Sequence, residues 1–323
     1  MTEVVIIGGG AAGLNGALML ARSRRSVVVI DAGQPRNAPA AGVHGLLGRE
    51  GMPPAELLAR GRAEVEMYGG TIRPGTVDHV TRDGDGFVVA LGDGTSLRAR
   101  RILVASGLVD ELPDVPGLRE RWGKDVLHCP YCHGWEARDK AIGVLATSPM
   151  SMHQALLFRQ LSDDITLFTH TCTPAETAAL VADEKLAALG IRVVAGKVAE
   201  IVTEAADRLT GVRLEDGTLV SRDVVTVAAR MVPRVGFLAG LGIKPIEHPS
   251  GMGDYVPADP TGLTEVAGVW IAGNATDLAA QVGSAAAAGA LAGARINADL
   301  VEEDTAAAVR RYSSPSKSPS VSR

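Results

Sequence analysis

An α/β fold of two similar three-layer domains, the second inserted in the first, is predicted by three observations. A glycine-rich turn joins an apolar strand to a helix at the start of the chain, a hairpin with its return strand occurs twice, and an Ala/Gly-rich helix closes the chain late. The 323 residues, 46% of them hydrophobic, are enough for two cores of ordinary size. The first domain is expected over residues 1–115 and 234–305, the inserted one over 116–233, and a disordered tail over 306–323.

The first unit is a strand at 4–7, the turn Gly8-Gly9-Gly10-Ala11-Ala12-Gly13, a helix at 14–22 and a strand at 26–30 that ends in Asp31. Strand, G-x-G-x-x-G, helix, strand and acidic residue in this order are what a Rossmann-like dinucleotide site demands. Gly8 permits the tight turn, and Gly10 leaves room where a pyrophosphate approaches. Gly13 lets helix and sheet pack closely, and Asp31 accepts ribose hydroxyls. Residues 54–68 follow as a helix with Leu57, Leu58, Val65 and Met67 toward a core. Strands at 77–80 and 87–91, a Gly92-Asp93-Gly94 turn and a return strand at 101–105 complete the unit.

The hairpin pattern of Leu91 to Thr95 recurs at Leu214 to Thr218, with a return strand at 224–228, so one topology is used twice. The second copy opens with a strand at 141–146, a helix at 151–161 and a strand at 165–169. In place of glycines it carries Ala146-Thr147-Ser148-Pro149-Met150-Ser151, whose side chains obstruct a close phosphate approach. His170 and Thr171 come directly after Thr169, with no arginine there to pair with a 2'-phosphate. The fold is retained there and the nucleotide site is lost. The chain then returns through a strand at 263–270, Gly273-Asn274 and a helix at 284–300. The Ala-rich stretch 279–298 is too weakly apolar and too interrupted for a membrane span. Residues 313–323, rich in Ser, have little to bury.

A net charge of −5 argues against nucleic acid as the main partner. The N-terminus lacks a basic and apolar leader, and only three cysteines occur, so a cytoplasmic protein is expected. Two of the three stand in Cys129-Pro130-Tyr131-Cys132, flanked by His128 and His133. Two thiols at this spacing can close a disulfide with little backbone movement, and a nearby imidazole can take a thiol proton. The bland readings are half a zinc site or two structural cysteines. Such close side chains cannot all wrap one tetrahedral ion, so no metal is assigned. His133 is the candidate base beside a purely structural reading, and His128 is read as a packing residue. Cys172 reads as a small buried hydrophobe, Trp135 and Glu136 carry no role, and Met150, Met152 and Leu156 read as core.

These motifs, in order, resemble the low-molecular-weight thioredoxin reductases, flavoprotein disulfide oxidoreductases, up to about residue 301. The resemblance implies FAD held by Gly8, Gly10, Ala12, Gly13 and Asp31, by the Ala105-Ser106-Gly107 segment, and by Gly273, Asn274, Gln281 and Val282 near the ribityl chain and ring. That family usually has Asp where Asn274 stands, a second glycine fingerprint for NADPH, and Asp where His133 stands. Cys-Pro-Tyr-Cys-His-Gly-Trp-Glu, with His44-Gly45-Leu46-Leu47-Gly48-Arg49, is similar to the dithiol oxidases of gliotoxin- and holomycin-type natural products. This likeness implies a small-molecule dithiol as substrate and O2 as electron acceptor. Cys129 would meet the substrate, Cys132 would lie nearer the flavin, and the protein would be a homodimer. An NADPH-dependent reductase of thioredoxin and a non-catalytic flavin redox sensor are the competing readings.

Overall fold

The computed structural model describes residues 2–148, 150–204 and 207–313. It opens with β1 (Thr2–Ile7), α1 (Ala11–Arg22), β2 (Val27–Asp31), α2 (Pro54–Met67) and β3 (Thr71–Pro74). A run of strands follows: β4 (Val77–Asp83), β5 (Gly86–Leu91), β6 (Ser96–Val104), β7 (Leu108–Glu111) and β8 (Val126–Leu127). The second half-sheet is built from α3 (Pro130–His133), β9 (Ile142–Leu145), α4 (Met150–Phe158) and β10 (Ile165–Phe168). It continues through α5 (Pro174–Val181), α6 (Glu184–Ala188), β11 (Arg192–Val194), β12 (Val198–Glu204) and β13 (Arg208–Leu214). After β14 (Leu219–Ser221), β15 (Val224–Val227) and β16 (Arg230–Pro233) come the short ribbon β17 (Ile246–Glu247) and β18 (Asp254–Tyr255), then β19 (Val269–Ile271) and α7 (Val282–Ser313).

The first sheet runs β3-β2-β1-β6-β5-β4. Its central strand β6 is long enough for two jobs. Its first half pairs antiparallel with β5, and Ile102 to Val104 pair parallel with β19, which brings the late chain segment into the early sheet. Along β1 the side chains alternate between two cores: Val4 and Ile6 pack with α1 and α7, Val5 and Ile7 with Phe87, Ile102 and Leu238. The second sheet runs β11-β10-β9-β15-β8, and all its pairs are parallel. The mixed α/β architecture with parallel sheets is thus as expected. Between the two sheets, β7 and β16 pair antiparallel, so the outgoing and returning chain cross side by side.

Small residues set the distance between α1 and α7. A Cβ on Gly289 would lie 1.9 Å from the Ala12 carbonyl oxygen, and one on Gly293 would lie 2.7 Å from that of Gly16. The Ala/Gly-rich stretch is therefore a close helix contact, and no helix of the described residues is long and apolar enough to cross a membrane.

Several expectations need correction. Helix α7 starts at Val282 and continues to Ser313, so residues 306–313 are helical; Ala306, Ala307 and Ala308 favour the helix, and Arg310 and Arg311 suit its C-terminal end. The remaining tail, 314–323, lies outside the described residues, as does Pro149. Met67 is 74% exposed at the helix end instead of facing a core. The expected strand at 263–270 is reduced to β19 at Val269–Ile271, because Gly262 and Gly268, both at φ +87°, turn the chain on either side of residues 263–267. The return strand begins earlier than expected, at Ser96, and β3 was not foreseen.

Candidate functional site

One cleft of about 1120 Å³ is lined by the glycine turn, Asp31, residues 105–108, the Cys129–His133 segment, Thr147, Ser148 and the late segment Gly273 to Val282. The expected site residues, far apart in sequence, thus share one cavity, except Gly13, which packs behind the turn against Gly8.

The glycines divide by role. Gly8, at φ +110°, passes so close to the Ala105 carbonyl that an added Cβ would lie 2.3 Å from its oxygen, and a Cβ on Gly13 would lie 1.9 Å from the Gly8 oxygen. Gly10 is different: nothing lies within 4 Å of the place its Cβ would take. Gly10 is also the N-cap of α1 and supplies no side-chain cap, so this twelve-residue helix offers free backbone N–H groups at Ala11 and Ala12 to an anion. Asp31 ends β2, where Oδ1 accepts the Gly33 N–H at 3.1 Å and Oδ2 accepts from Arg62 at 2.9 Å. Ala105 and Gly107 flank Ser106, whose hydroxyl is buried without a partner.

The late wall is held by Asn274. Its Nδ2 donates toward the carbonyls of Ala280 (2.8 Å), Asp277 (3.1 Å) and Leu278 (3.4 Å), folding residues 277–280 around it. Gly273, at φ +77°, makes the turn into that loop. The Gln281 carbonyl accepts from Ser284 Oγ and Ala285 N–H, which starts α7 with Val282 in the cleft wall.

Cys129 and Cys132 form a disulfide with Cα atoms 5.3 Å apart. Cys129 caps α3, Pro130 sits in its first turn, and the Cys129 carbonyl accepts the N–H groups of Cys132 and His133 at 3.3 Å each. His133 follows directly. Its Nε2 is buried without a partner, and burial pushes the imidazole below its ordinary range; His44 adds to this, and Glu136 opposes it. A neutral imidazole near neutral pH is the form that can accept a thiol proton. His128 is pinned instead: its Nδ1 lies 3.0 Å from the Val227 carbonyl, and its own carbonyl accepts from Gln154 at 2.7 Å. Burial lowers its pKa too. Cys172 packs half-buried against the second core, and burial pushes its thiol up. Among the described residues no His/Cys/Asp/Glu cluster could hold a metal.

At the turn after β9, the Ser151 hydroxyl accepts the N–H groups of Thr147 (3.1 Å) and Ser148 (3.4 Å), and Thr147 Oγ1 donates to the Ala228 carbonyl at 3.0 Å. After β10, His170 Nδ1 accepts the Val198 N–H, and Thr171 Oγ1 donates to the Ala146 carbonyl. These polar groups are occupied within the chain.

Sequence reasoning missed two partners. Arg36 pairs bidentately with Asp110 at 2.6 and 2.7 Å on the cleft wall. His44 stands edge-on to His133, with ring centroids 6.4 Å apart. The segment around His44 carries a recognisable pattern, but no local signal joins it to a residue so distant in the chain.

The residues fit FAD. A glycine cradle that a Cβ at Gly10 would fill, an uncapped helix N-terminus and Asp31 lie in the same cleft as the disulfide, with room for a long ligand between. A family model described as pyridine nucleotide-disulphide oxidoreductase matches residues 2–292. A Claviceps purpurea protein named thioredoxin reductase tcpT is 32% identical over 316 residues, 94% of this chain and 95% of that one. Thioredoxin reductase sirT of Leptosphaeria maculans is 28% identical over 94% of this chain and 96% of its own. The crystal structure of HlmI has a TM-score of 0.88 at 48% identity, covering 96% of both chains. An oxidoreductase from Agrobacterium tumefaciens reaches 0.84 at 36% identity, over 93% of this chain and 98% of its own. Cradle, disulfide and matched length agree: the chain belongs to the pyridine nucleotide-disulphide oxidoreductase family and is a thioredoxin reductase-like flavoprotein oxidoreductase.

Proposed function

We propose that this protein is an FAD-dependent dithiol oxidase that closes an intramolecular disulfide in a small, apolar natural-product dithiol, with O2 as electron acceptor and H2O2 as second product. The observation that carries this reading is the closed turn after β9. There the Ser151 hydroxyl holds the Thr147 N–H at 3.1 Å and the Ser148 N–H at 3.4 Å, in a turn where a nicotinamide dinucleotide phosphate would draw on backbone donors, and this supports the substrate dithiol as electron donor. The cleft wall favours an apolar substrate: Tyr131, 68% exposed, stands in it beside Leu157, Met150 and Phe237. The same reading makes the protein a cytoplasmic homodimer with no nucleic-acid or membrane partner.

In the reaction, His133 takes the proton of one substrate thiol, and the thiolate attacks Cys129 Sγ. The Cys129–Cys132 bond breaks and Cys132 leaves as a thiolate. The second substrate thiol, deprotonated in turn, attacks the substrate sulfur of this mixed disulfide and displaces Cys129. The substrate departs with its own disulfide closed, having lost two electrons and two protons. The glycine cradle and the Gly273 to Val282 wall would hold FAD, which would supply the two-electron acceptor for the cysteine dithiolate and the route to O2, H2O2 forming from O2 with two electrons and two protons. Gly10 and α1 would hold the pyrophosphate and Asp31 the ribose, and Asn274 orders the loop of residues 277–280 in the cleft wall.

Anaerobic mixing tests the reading. A small dithiol is expected to bleach the flavin promptly in the wild type, NADPH is not, and admitting air should restore the colour with one H2O2 formed per dithiol. Cys129→Ser and Cys132→Ser should retain flavin but lose dithiol consumption. Prompt bleaching by NADPH would instead make the protein a reductase of thioredoxin or a related disulfide, and failure of any dithiol to reduce the flavin would leave a redox sensor.

A further inference from the structure

We propose that His44 and Glu50 form a proton exit for His133, carrying the thiol proton from the disulfide in the cleft to solvent. The inference rests on the dithiol-oxidase reading and adds a pair of residues to it. His44 comes from the loop between β2 and α2, in the first sheet's half of the molecule, whereas His133 belongs to α3, beside the second sheet. The two rings meet edge-on across the cleft, with centroids 6.4 Å apart. His44 Nδ1 lies 2.5 Å from Glu50 Oε1, and the second Glu50 oxygen accepts the Gly45 N–H at 3.0 Å, so the carboxylate is fixed at both oxygens. His44 Nε2 lies 3.7 Å from Glu136 Oε1. The arrangement is graded from inside to outside. His133 Nε2 is buried without a partner, the His44 side chain keeps 21% of its exposure, and that of Glu50 keeps 67%.

This grading answers a problem that the reaction creates. Each turnover releases two protons at the disulfide, and a base that stays protonated cannot accept the second. Burial holds the His133 imidazole below its ordinary range, so its proton is held weakly and is readily passed on. The charged or titratable groups facing His133 are His44 and Glu136. Those facing His44 are Glu50, Glu136 and His133. Glu50 is held below the usual carboxylate range by His44 and the Gly45 N–H, so it remains an anion against the His44 ring. The proton leaves His133, crosses by Glu136 or one bridging water to His44, and departs along Glu50, while electrons go the other way to the flavin. Glu136 and His44, which carried no role in the sequence, gain one here. His44 and Glu50 touch neither sulfur and act as positioning and relay residues.

The test uses the flavin-loaded full chain and a small dithiol under anaerobic conditions, with the rate of flavin bleaching followed across pH. In His44→Ala the rate should fall by roughly tenfold or more, within the usual reach of acid–base catalysis, and added imidazole should restore it while leaving the wild type unchanged. Reoxidation by O2 and flavin content should stay at wild-type values. Glu50→Gln keeps the imidazole and should flatten the pH profile with a smaller rate loss; it carries the test if His44→Ala does not hold flavin. A His44→Ala rate within twofold of wild type, or a slowed rate that imidazole leaves unmoved, would overturn the relay. A wild type that no dithiol reduces would overturn the oxidase reading itself, an outcome visible before any variant is made.

Discussion

Ser151 closes over Thr147: its hydroxyl accepts the Thr147 N–H at 3.1 Å and, more weakly, that of Ser148 at 3.4 Å, while Ser151 itself is only 1% exposed. The hydroxyl does the work that a bound phosphate does in a glycine-rich turn, supplying oxygen to backbone donors at the start of a helix. Replacing it leaves the N–H groups of two half-buried residues without their side-chain acceptor. Ser151→Ala should therefore lower stability by about 1–3 kcal/mol, the usual cost of orphaned buried donors, as read from denaturant midpoints. It should not make NADPH a reductant, because Thr147 and Met150 keep their side chains where glycines would be needed. A variant as stable as wild type would show that these N–H groups do not depend on Ser151.

Gly10 and Gly13 make opposite demands. Gly13→Ala drives a Cβ to 1.9 Å from the Gly8 oxygen, a backbone atom that cannot swing aside, and should cost at least about 3 kcal/mol or prevent folding. Gly10→Ala meets no protein atom, and with φ −82° it asks nothing unusual of the backbone. The apoprotein should fold within about 0.5 kcal/mol of wild type. Its methyl group, however, points into the space kept for pyrophosphate, so the flavin-to-protein ratio should fall sharply. Full flavin retention in Gly10→Ala would remove the cradle from the cofactor site.

What was legible in the chain was whatever local sterics dictate. Gly8, Gly13 and Asp31 are forced by a turn with a single workable geometry, and the strands of the first sheet show their alternation directly. The misses have physical causes. β3 is four residues at a sheet edge with Arg73 and Pro74 in it, which leaves no periodic signal. The last turns of α7 are exposed and carry no apolar stripe, so only propensity marks them as helix. His44 and His133 meet through tertiary packing of two separate halves, and Glu50 acquires meaning only through that contact. The side chains of Thr147 and Ser151 were readable as an obstruction, but the capture of two N–H groups by one hydroxyl depends on loop geometry.

Acid should weaken the fold through its histidines. Burial is the leading cause that lowers the pKa of His128, His133 and His170. In the unfolded chain each imidazole returns to about 6.5, so below that value the unfolded state binds more protons than the folded one. Stability is therefore full above the unfolded value and drains away as pH falls below it toward the folded values. The slope approaches about 1.4 kcal/mol per pH unit for each such group. His170 is the cleanest probe, because its Nδ1 must be unprotonated to accept the Val198 N–H at 3.1 Å. It also sits at φ +39°, a conformation that Asn tolerates, so His170→Asn keeps the turn and removes the titration. Urea midpoints should fall between roughly pH 7 and 5, less steeply in His170→Asn. Equal slopes would acquit His170.

Asn274 offers a sharper electrostatic test, because thioredoxin reductases, which this chain resembles, usually carry Asp there. The amide is indispensable to this loop as a donor: one NH2 group shares its two hydrogens among the carbonyls of Asp277, Leu278 and Ala280. A carboxylate in its place has no hydrogen to give and sets a negative oxygen against three carbonyl oxygens at 2.8 to 3.4 Å. Leu278, 3% exposed, anchors one end of the loop, so the strain cannot be shed by swinging it into solvent. Asn274→Asp should therefore lose about 2 kcal/mol and hold flavin less tightly, measured by thermal unfolding and by flavin release on dilution. The carbonyls would raise the pKa of the new carboxyl, and protonating it returns one donor. The deficit relative to wild type should then shrink as pH falls, opposite in sign to the histidine effect. A deficit that stays constant with pH would mean that charge is not its cause, and no deficit at all would mean that the loop is held by Leu278 and its neighbours rather than by the amide.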